Sequence, residues 1–288
     1  MINKYFNSKI LLFGEYLILL GGDAFAIPFP NYYSFLSKNI KNPQAEESNL
    51  QLKQLLKYLL NLKLNINLTQ LEADLQEGMY LESNIPQGYG LGSSGTLSAA
   101  ILKKYAPLNM SKDEILQHLI EIESFFHGKS SGIDPFVSYF NQPIVFKSKK
   151  IDLINKPLNQ NFNVYVLDSG IKRNTQKLVE IFKKKSIEET FINSYISPVL
   201  QYNQNCIESI INKENLDFQS LKQISILQYK WMAEFIPEEI QRIWNETLDS
   251  NDIAIKLCGA GGGGFFLLIS KTDNLFLKKY ENRIIKVL

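Results

Sequence analysis

Cysteine and histidine are scarce in this sequence, with two of each in 288 residues. Cys206 and Cys258 are too few and too far apart for a disulfide framework or a zinc site, which fits a reducing compartment. The histidines, His118 and His127, do not share the helical spacing of a metal-binding pair. Excess charge of either sign is also missing. Lys+Arg 31 against Asp+Glu 29 gives no electrostatic footprint for nucleic acid or a membrane surface, and neither is expected as a partner. No run reaches the roughly 18 apolar residues of a membrane-spanning helix. The most apolar early stretch, Ile10 to Leu20, is broken by Gly14 and Glu15 and is followed by no small-residue cleavage site. It reads as internal structure rather than a leader. These absences leave a cytoplasmic protein as the expectation.

What the chain has is material for a core. Hydrophobic residues make up 45% and aromatics 12%, with 21% charged residues for a solvated surface. The length suits two ordinary domains. The lysine-rich stretch from Lys147 to Lys150 separates the halves, and domains are expected over 1–155 and 156–288. Lys9 to Phe13 and Tyr16 to Leu20 read as strand-like runs around Gly14-Glu15, with Gly21-Gly22-Asp23 as a hairpin signal. Leucines at 52, 55, 56, 59, 60 and 62 recur at helical spacing. Gly78 to Ile85 reads as a strand ended by Pro86, and Ser94 to Tyr105 as a helix. Ser111 to Phe126 reads as a further helix opened by a Ser111/Glu114 capping box. In the second half, a strand over Phe162 to Leu167 precedes helical segments near 174–185, 189–212, 217–235 and 237–249. A strand at Ile253 to Lys256, a second glycine cluster and a strand at Phe265 to Ile269 follow.

The most informative stretch is Pro86-Gln87-Gly88-Tyr89-Gly90-Leu91-Gly92-Ser93-Ser94-Gly95. Glycines let backbone N–H groups turn inward, and the helix that follows offers its unpaired N-terminal donors, an arrangement suited to phosphate. Two common phosphate loops are excluded. A Walker A loop closes with Lys-Ser/Thr, and no lysine follows Gly92. A dinucleotide fingerprint needs its third glycine one residue later. Ser93 and Ser94 stand where a hydroxyl can bond a phosphate oxygen, ligate a hard cation such as Mg²⁺, or simply cap the helix. Glu123 and Asp134 could supply a metal-binding carboxylate and a base for an acceptor hydroxyl. Their ordinary readings are a solvated helix charge and a turn residue. Lys9 is either a solvent-facing strand-edge gatekeeper or a cation that stabilises a transferring phosphoryl group. His127 adjoins the acidic segment and is open between substrate contact and structure. Cys258 reads as a small buried apolar residue.

Three motifs in order resemble those of the GHMP kinase family: Lys9-Ile10-Leu11-Leu12-Phe13-Gly14-Glu15-Tyr16, the Pro86–Gly95 loop, and Lys256-Leu257-Cys258-Gly259-Ala260-Gly261-Gly262-Gly263-Gly264. The resemblance implies a two-domain α+β fold: an N-terminal α/β domain like the second domain of ribosomal protein S5, and a C-terminal ferredoxin-like domain, with the active site between them. It implies ATP as co-substrate, Mg²⁺, and a family tendency toward homodimers. Within the family the chain is most like compact microbial mevalonate kinases. His127-Gly128-Lys129-Ser130-Ser131-Gly132-Ile133-Asp134 resembles their H-G-x-P-S-G-x-D motif, and the segment from Asp168 to Thr175 resembles one ending P-R-N-T. The resemblance implies Asp134 and Lys9 as catalytic, and Gly88, Tyr89, Gly90, Leu91, Gly92, Ser93, Ser94 and Gly95 as the ATP-phosphate loop. It implies Ser94 and Glu123 as metal ligands, and Glu15, Tyr16, Thr175, Ala260 and Gly261 near the acceptor. The expected reaction is phosphorylation of the 5-hydroxyl of mevalonate. Two positions depart from the pattern: Tyr16, where mevalonate kinases commonly have histidine and phosphomevalonate kinases show tyrosine, and Ser130, where proline is usual. A phosphomevalonate kinase, another small-molecule kinase of the family and a non-catalytic metabolite-binding regulator are the alternatives.

Overall fold

In the computed structural model, which describes residues 5–38, 40, 42–155, 161–173, 175–212 and 215–288, the chain forms two compact units that interleave in sequence. Unit 1 takes the chain up to Lys9, then Ile27–Pro86 and Leu91–Pro143. Unit 2 takes Ile10–Ala26, Gln87–Gly90 and the chain from Ile144 onward. The boundary expected at 155/156 falls inside the last of these stretches, and residues 156–160 beside it lie outside the described residues.

Strands β1 (Phe6–Phe13) and β2 (Ala24–Ser37) are neighbours in one sheet and run through both units. In unit 1 the far end of β2 pairs antiparallel with β3 (Tyr80–Ser83), Ser34 opposite Ser83 and Ser37 opposite Tyr80. Among the described residues the unit also holds the helices α1 (Pro43–Leu59), α2 (Leu68–Gln76), α3 (Ser93–Tyr105), α4 (Lys112–His127) and α5 (Ile133–Phe140). The leucine spacing is the reason for α1, which buries Leu52, Leu55, Leu56 and Leu59 and starts with the Asn42 side chain accepting from the Ala45 N–H. The Ser111/Glu114 capping box forms at the start of α4, as its sequence predicts. Helix α3 is buried along almost its whole length and packs against α4 and α5, which its glycine and alanines allow.

In unit 2 the start of β2 pairs with β4 (Ile144–Lys147), which turns back into β5 (Lys150–Leu153). A second, antiparallel sheet runs in the order β7-β8-β6-β9, formed by β6 (Asn163–Asp168), β7 (Ile253–Leu257), β8 (Phe265–Ser270) and β9 (Ile284–Lys286). Its helices are α6 (Thr175–Lys185), α7 (Glu189–Phe191), α8 (Ser197–Ile211), α9 (Phe218–Trp231), α10 (Glu238–Asn245) and α11 (Leu275–Lys279). Every residue of β7 and β8 is buried, which is why both are apolar apart from Lys256 in β7 and Ser270 at the end of β8.

One local expectation fails. Leu17–Leu20 is a 3₁₀ turn, not a strand. Tyr16 enters it at φ 63° and Gly21 leaves it at φ 82°, so the chain reverses at both ends and cannot stay extended. The double glycine that suggested a hairpin ends this turn and feeds β2.

Candidate active site

In unit 1, the part of the loop from Leu91 onward meets β1 and the starts of α3 and α5. The Lys9 N–H donates to the Leu91 carbonyl at 3.0 Å, which ties the loop to β1. Gly92 stands at the head of α3 with φ 78°, and no side chain caps the helix. Neither serine serves as the cap, so the first-turn N–H groups remain donors for an anion. A Cβ at Gly92 would lie 3.1 Å from Asp134 Oδ2 and 3.3 Å from Lys9 Cγ. Glycine thus lets the loop run directly over the Lys9–Asp134 pair. Lys9 Nζ and Asp134 Oδ1 are 3.0 Å apart, with the lysine side chain 9% and the aspartate side chain 30% exposed. Lys9 therefore faces a carboxylate inside the unit rather than solvent, although β1 is an edge strand. Asp134 sits in the first turn of α5 and is no simple turn residue.

Glu123, on α4, is buried rather than solvated. Its Oε1 accepts from Ser94 Oγ at 3.2 Å, and its Oε2 accepts from Ser130 Oγ. Burial, reinforced by the charge of Asp134, raises its carboxyl to about 7, against the hydrogen bonds from Ser130 and Ser94 and the charge of Lys9. Ser94 Oγ also lies 2.9 Å from His127 Nε2. Glu123 and His127 are four residues apart on α4, so one helix face brings both to the same serine. Ser93 is exposed at the start of α3. Among the described residues no group of three or more His, Cys, Asp or Glu could hold a metal. Ser94 and Glu123 are instead a pair of hard oxygen donors, which suits Mg²⁺, an ion that keeps several waters and takes the rest of its ligands from phosphates.

In unit 2, Gly88, Tyr89 and Gly90 form the first part of the loop, with both glycines at positive φ. The Arg173 N–H donates to the Gly88 carbonyl, and a side chain at Gly90 would run into the Arg173 guanidinium, 1.4 Å from a Cβ there. Arg173 Nη1 donates to the Cys258 carbonyl at 3.1 Å, and a Cβ at Gly259 would lie 2.8 Å from it. One guanidinium therefore lies against both glycine segments of this unit. Asn174, which follows it in the motif, lies outside the described residues. Thr175 is exposed at the start of α6.

The Tyr16 hydroxyl donates to the Ala260 carbonyl at 2.7 Å, and its ring stacks on Phe182 and meets Phe235 edge-on. This joins two of the residues expected near an acceptor, with the tyrosine itself buried. Gly261 packs against the Phe235 carbonyl, 2.6 Å from where a Cβ would stand. Glu15 is buried and ion-paired with Lys256, whose ammonium also donates to the carbonyls of Leu12 and Leu257. No spacing or motif in the sequence assigns a partner to Lys256. A single cation inside the buried run Ile253–Leu257 was the available signal, because such a charge requires a counter-charge. Nor does any assign a role of its own to Ser130, although that residue stands in the segment leading to Asp134.

Known proteins resemble this chain in sequence and in fold. A family model described as "GHMP kinases N terminal domain" matches residues 52–142. The mevalonate kinase of Pyrococcus abyssi is 25% identical over 89% of this chain and 85% of its own length. Among solved structures, mevalonate kinase from L. major in complex with R-mevalonate superposes with a TM-score of 0.65 at 19% identity, covering 98% of this chain and 94% of that one. The phosphomevalonate kinase of Streptococcus pneumoniae, in complex with phosphomevalonate and AMPPNP, gives 0.65 at 14% identity over 99% and 98%.

Proposed function

The chain belongs to the GHMP kinase family and is a phosphotransferase acting on a hydroxyl group, and from this premise we propose that it transfers the γ-phosphoryl group of ATP to the 5-hydroxyl of mevalonate. The observation that carries the reading is the unit 1 cluster, in which Lys9 faces Asp134 at 3.0 Å beside the uncapped glycine loop while Ser94 faces Glu123 at 3.2 Å. The loop amides from Gly88 to Gly95 cradle the phosphates. Asp134 accepts the hydroxyl proton as the oxygen attacks, and Lys9 offsets the charge that develops on the transferring group. Ser94 and Glu123 hold Mg²⁺, which supplies charge neutralisation at the phosphates when bound. Phosphoryl transfer makes few covalent demands on the protein, so positioning and electrostatics account for most of the acceleration. In sequence terms, 1–155 is proposed as the N-terminal and 156–288 as the C-terminal kinase region, although the compact units interleave across that boundary.

A second reading, phosphomevalonate as the acceptor, is favoured by one observation. The residue at position 16 is the tyrosine that phosphomevalonate kinases show, buried with its hydroxyl donating to the Ala260 carbonyl. Coupled ADP-release assays with mevalonate and 5-phosphomevalonate offered separately, each with Mg-ATP, decide between them. Turnover of mevalonate is expected. Turnover of 5-phosphomevalonate alone selects the second reading, and turnover of neither removes both.

A further inference from the structure

We infer that Ser130 is a positioning residue of this site, one hydroxyl that fixes the Glu123 carboxylate and the turn carrying Asp134 to each other. The inference rests on Glu123 and Asp134 serving the transfer as proposed above. Ser130 Oγ donates to Glu123 Oε2 and accepts from the Gly132 N–H at 2.9 Å. Gly132, at φ 76°, is the residue from which α5 starts, with Asp134 in its first turn. The neighbouring Ser131 shows what an ordinary local turn looks like: its Oγ accepts from the Ile133 N–H at 3.4 Å. Ser130 makes the same kind of turn and adds a bond to a buried carboxylate on another helix.

A serine hydroxyl has one proton and two lone pairs, so donating to Glu123 and accepting from Gly132 are compatible at once. With Oε2 held by Ser130, the carboxylate cannot rotate freely, and Oε1 is the oxygen turned to Ser94. The turn is also anchored sterically. A Cβ at Gly132 would lie 2.6 Å from Leu116 Cδ1 and 2.8 Å from Ile120 Cγ1, so the chain passes close over α4 just where Ser130 reaches Glu123. The donor pair Ser94/Glu123 and the base Asp134 thereby share one reference point. Removing the hydroxyl frees both at once, with almost no loss of apolar packing.

The test compares Ser130→Ala and Ser130→Thr in the full chain, by calorimetric titration of ADP at a series of Mg²⁺ concentrations and by steady-state kinetics. Ser130→Ala is expected to raise the Mg²⁺ needed for half-maximal ADP binding by about tenfold and to lower kcat by a similar factor, while KM for the acceptor changes by less than about twofold. Ser130→Thr, which keeps the hydroxyl, restores both to within about threefold of the original chain. Unchanged Mg²⁺ dependence in Ser130→Ala overturns the inference. Equal losses in alanine and threonine variants overturn it too, as does an equal loss of metal-free ADP binding, which would indicate general distortion. The calorimetric arm needs no acceptor. If the original chain phosphorylates neither mevalonate nor 5-phosphomevalonate, the proposed function falls while Ser130 is still judged on its own.

Discussion

At the residue scale, the site depends on a few buried polar groups whose partners decide what they can do. Asp134→Asn retains size and polarity but cannot take up the acceptor's proton. It should keep ADP affinity within about threefold and reduce kcat by about 10² or more. Near-normal turnover in that variant would remove Asp134 as the base. Glu123 makes a prediction about pH. Its carboxyl is raised from 4.5 to about 7 in the folded protein, so the folded state binds this proton more tightly than the unfolded chain. The resulting stability is complete below the unfolded value and is lost as pH rises through about 7, a change of up to about 3 kcal/mol. In metal-free protein, urea denaturation between about pH 5 and pH 8 should show this loss, and Glu123→Gln should flatten it. Identical slopes in the two proteins would refute the assignment. Lys256→Met leaves the Glu15 carboxylate buried without its ammonium and should cost about 3–5 kcal/mol. The double variant Lys256→Met/Glu15→Leu should recover most of it, measured by chemical denaturation. A double variant no better than the single one would mean the pair contributes little.

At the scale of elements, helix α3 carries the loop and is also the element most restricted by its neighbours. In an ordinary helix Gly→Ala stabilises by about 1 kcal/mol. At Gly95 the sign should reverse, because the new Cβ would stand 2.8 Å from the Asp134 carbonyl carbon and 2.9 Å from the Pro135 nitrogen. Both are backbone atoms at the start of α5 and cannot swing aside. Gly95→Ala should lower thermal stability and kcat together; a stabilised, fully active variant would mean α5 tolerates the shift. Helices were the legible elements. The α1 leucines, the α4 capping box and the glycine-to-alanine run of α3 are local signals, and each element forms where its signal stands. Strand β2 was not legible, because Pro28 and Pro30 discourage a strand reading. On the edge facing β4 and β3 they fall between the two paired stretches, Ala24–Ala26 and Ser34–Ser37, where no ladder bond to those strands is lost. The Leu17–Leu20 turn was misread for the complementary reason. Its apolar run resembles a strand, whereas the structure has a 3₁₀ turn bounded by Tyr16 and Gly21 at positive φ.

For the whole molecule, interleaving matters more than any single boundary. Residues 1–155 contain Ile10–Ala26 and Ile144–Leu153, and both stretches belong to unit 2. A fragment of 1–155 expressed alone should therefore lack a cooperative denaturation transition, because these strands lose the unit they fold with. A sharp two-state transition in that fragment, followed by circular dichroism in urea, would show that its part of the chain folds independently. No described helix is long and apolar enough to cross a membrane.

Read without the structure, the chain already shows the glycine-rich loop proposed to hold phosphate, the order of the three motifs and the residue types proposed for phosphoryl transfer. Those depend on local chemistry: glycine's freedom at positive φ, a helix N-terminus, a hydroxyl beside it. Which donor faces which acceptor follows from tertiary structure alone. Lys9 meets Asp134, Ser94 meets Glu123 and His127, Ser130 meets Glu123, and Lys256 meets Glu15. Apart from the i, i+4 relation of Glu123 and His127, these pairs join residues distant in the chain or on different elements. No periodicity records such a meeting, because what selects it is the cost of leaving a buried charge or hydroxyl without a partner.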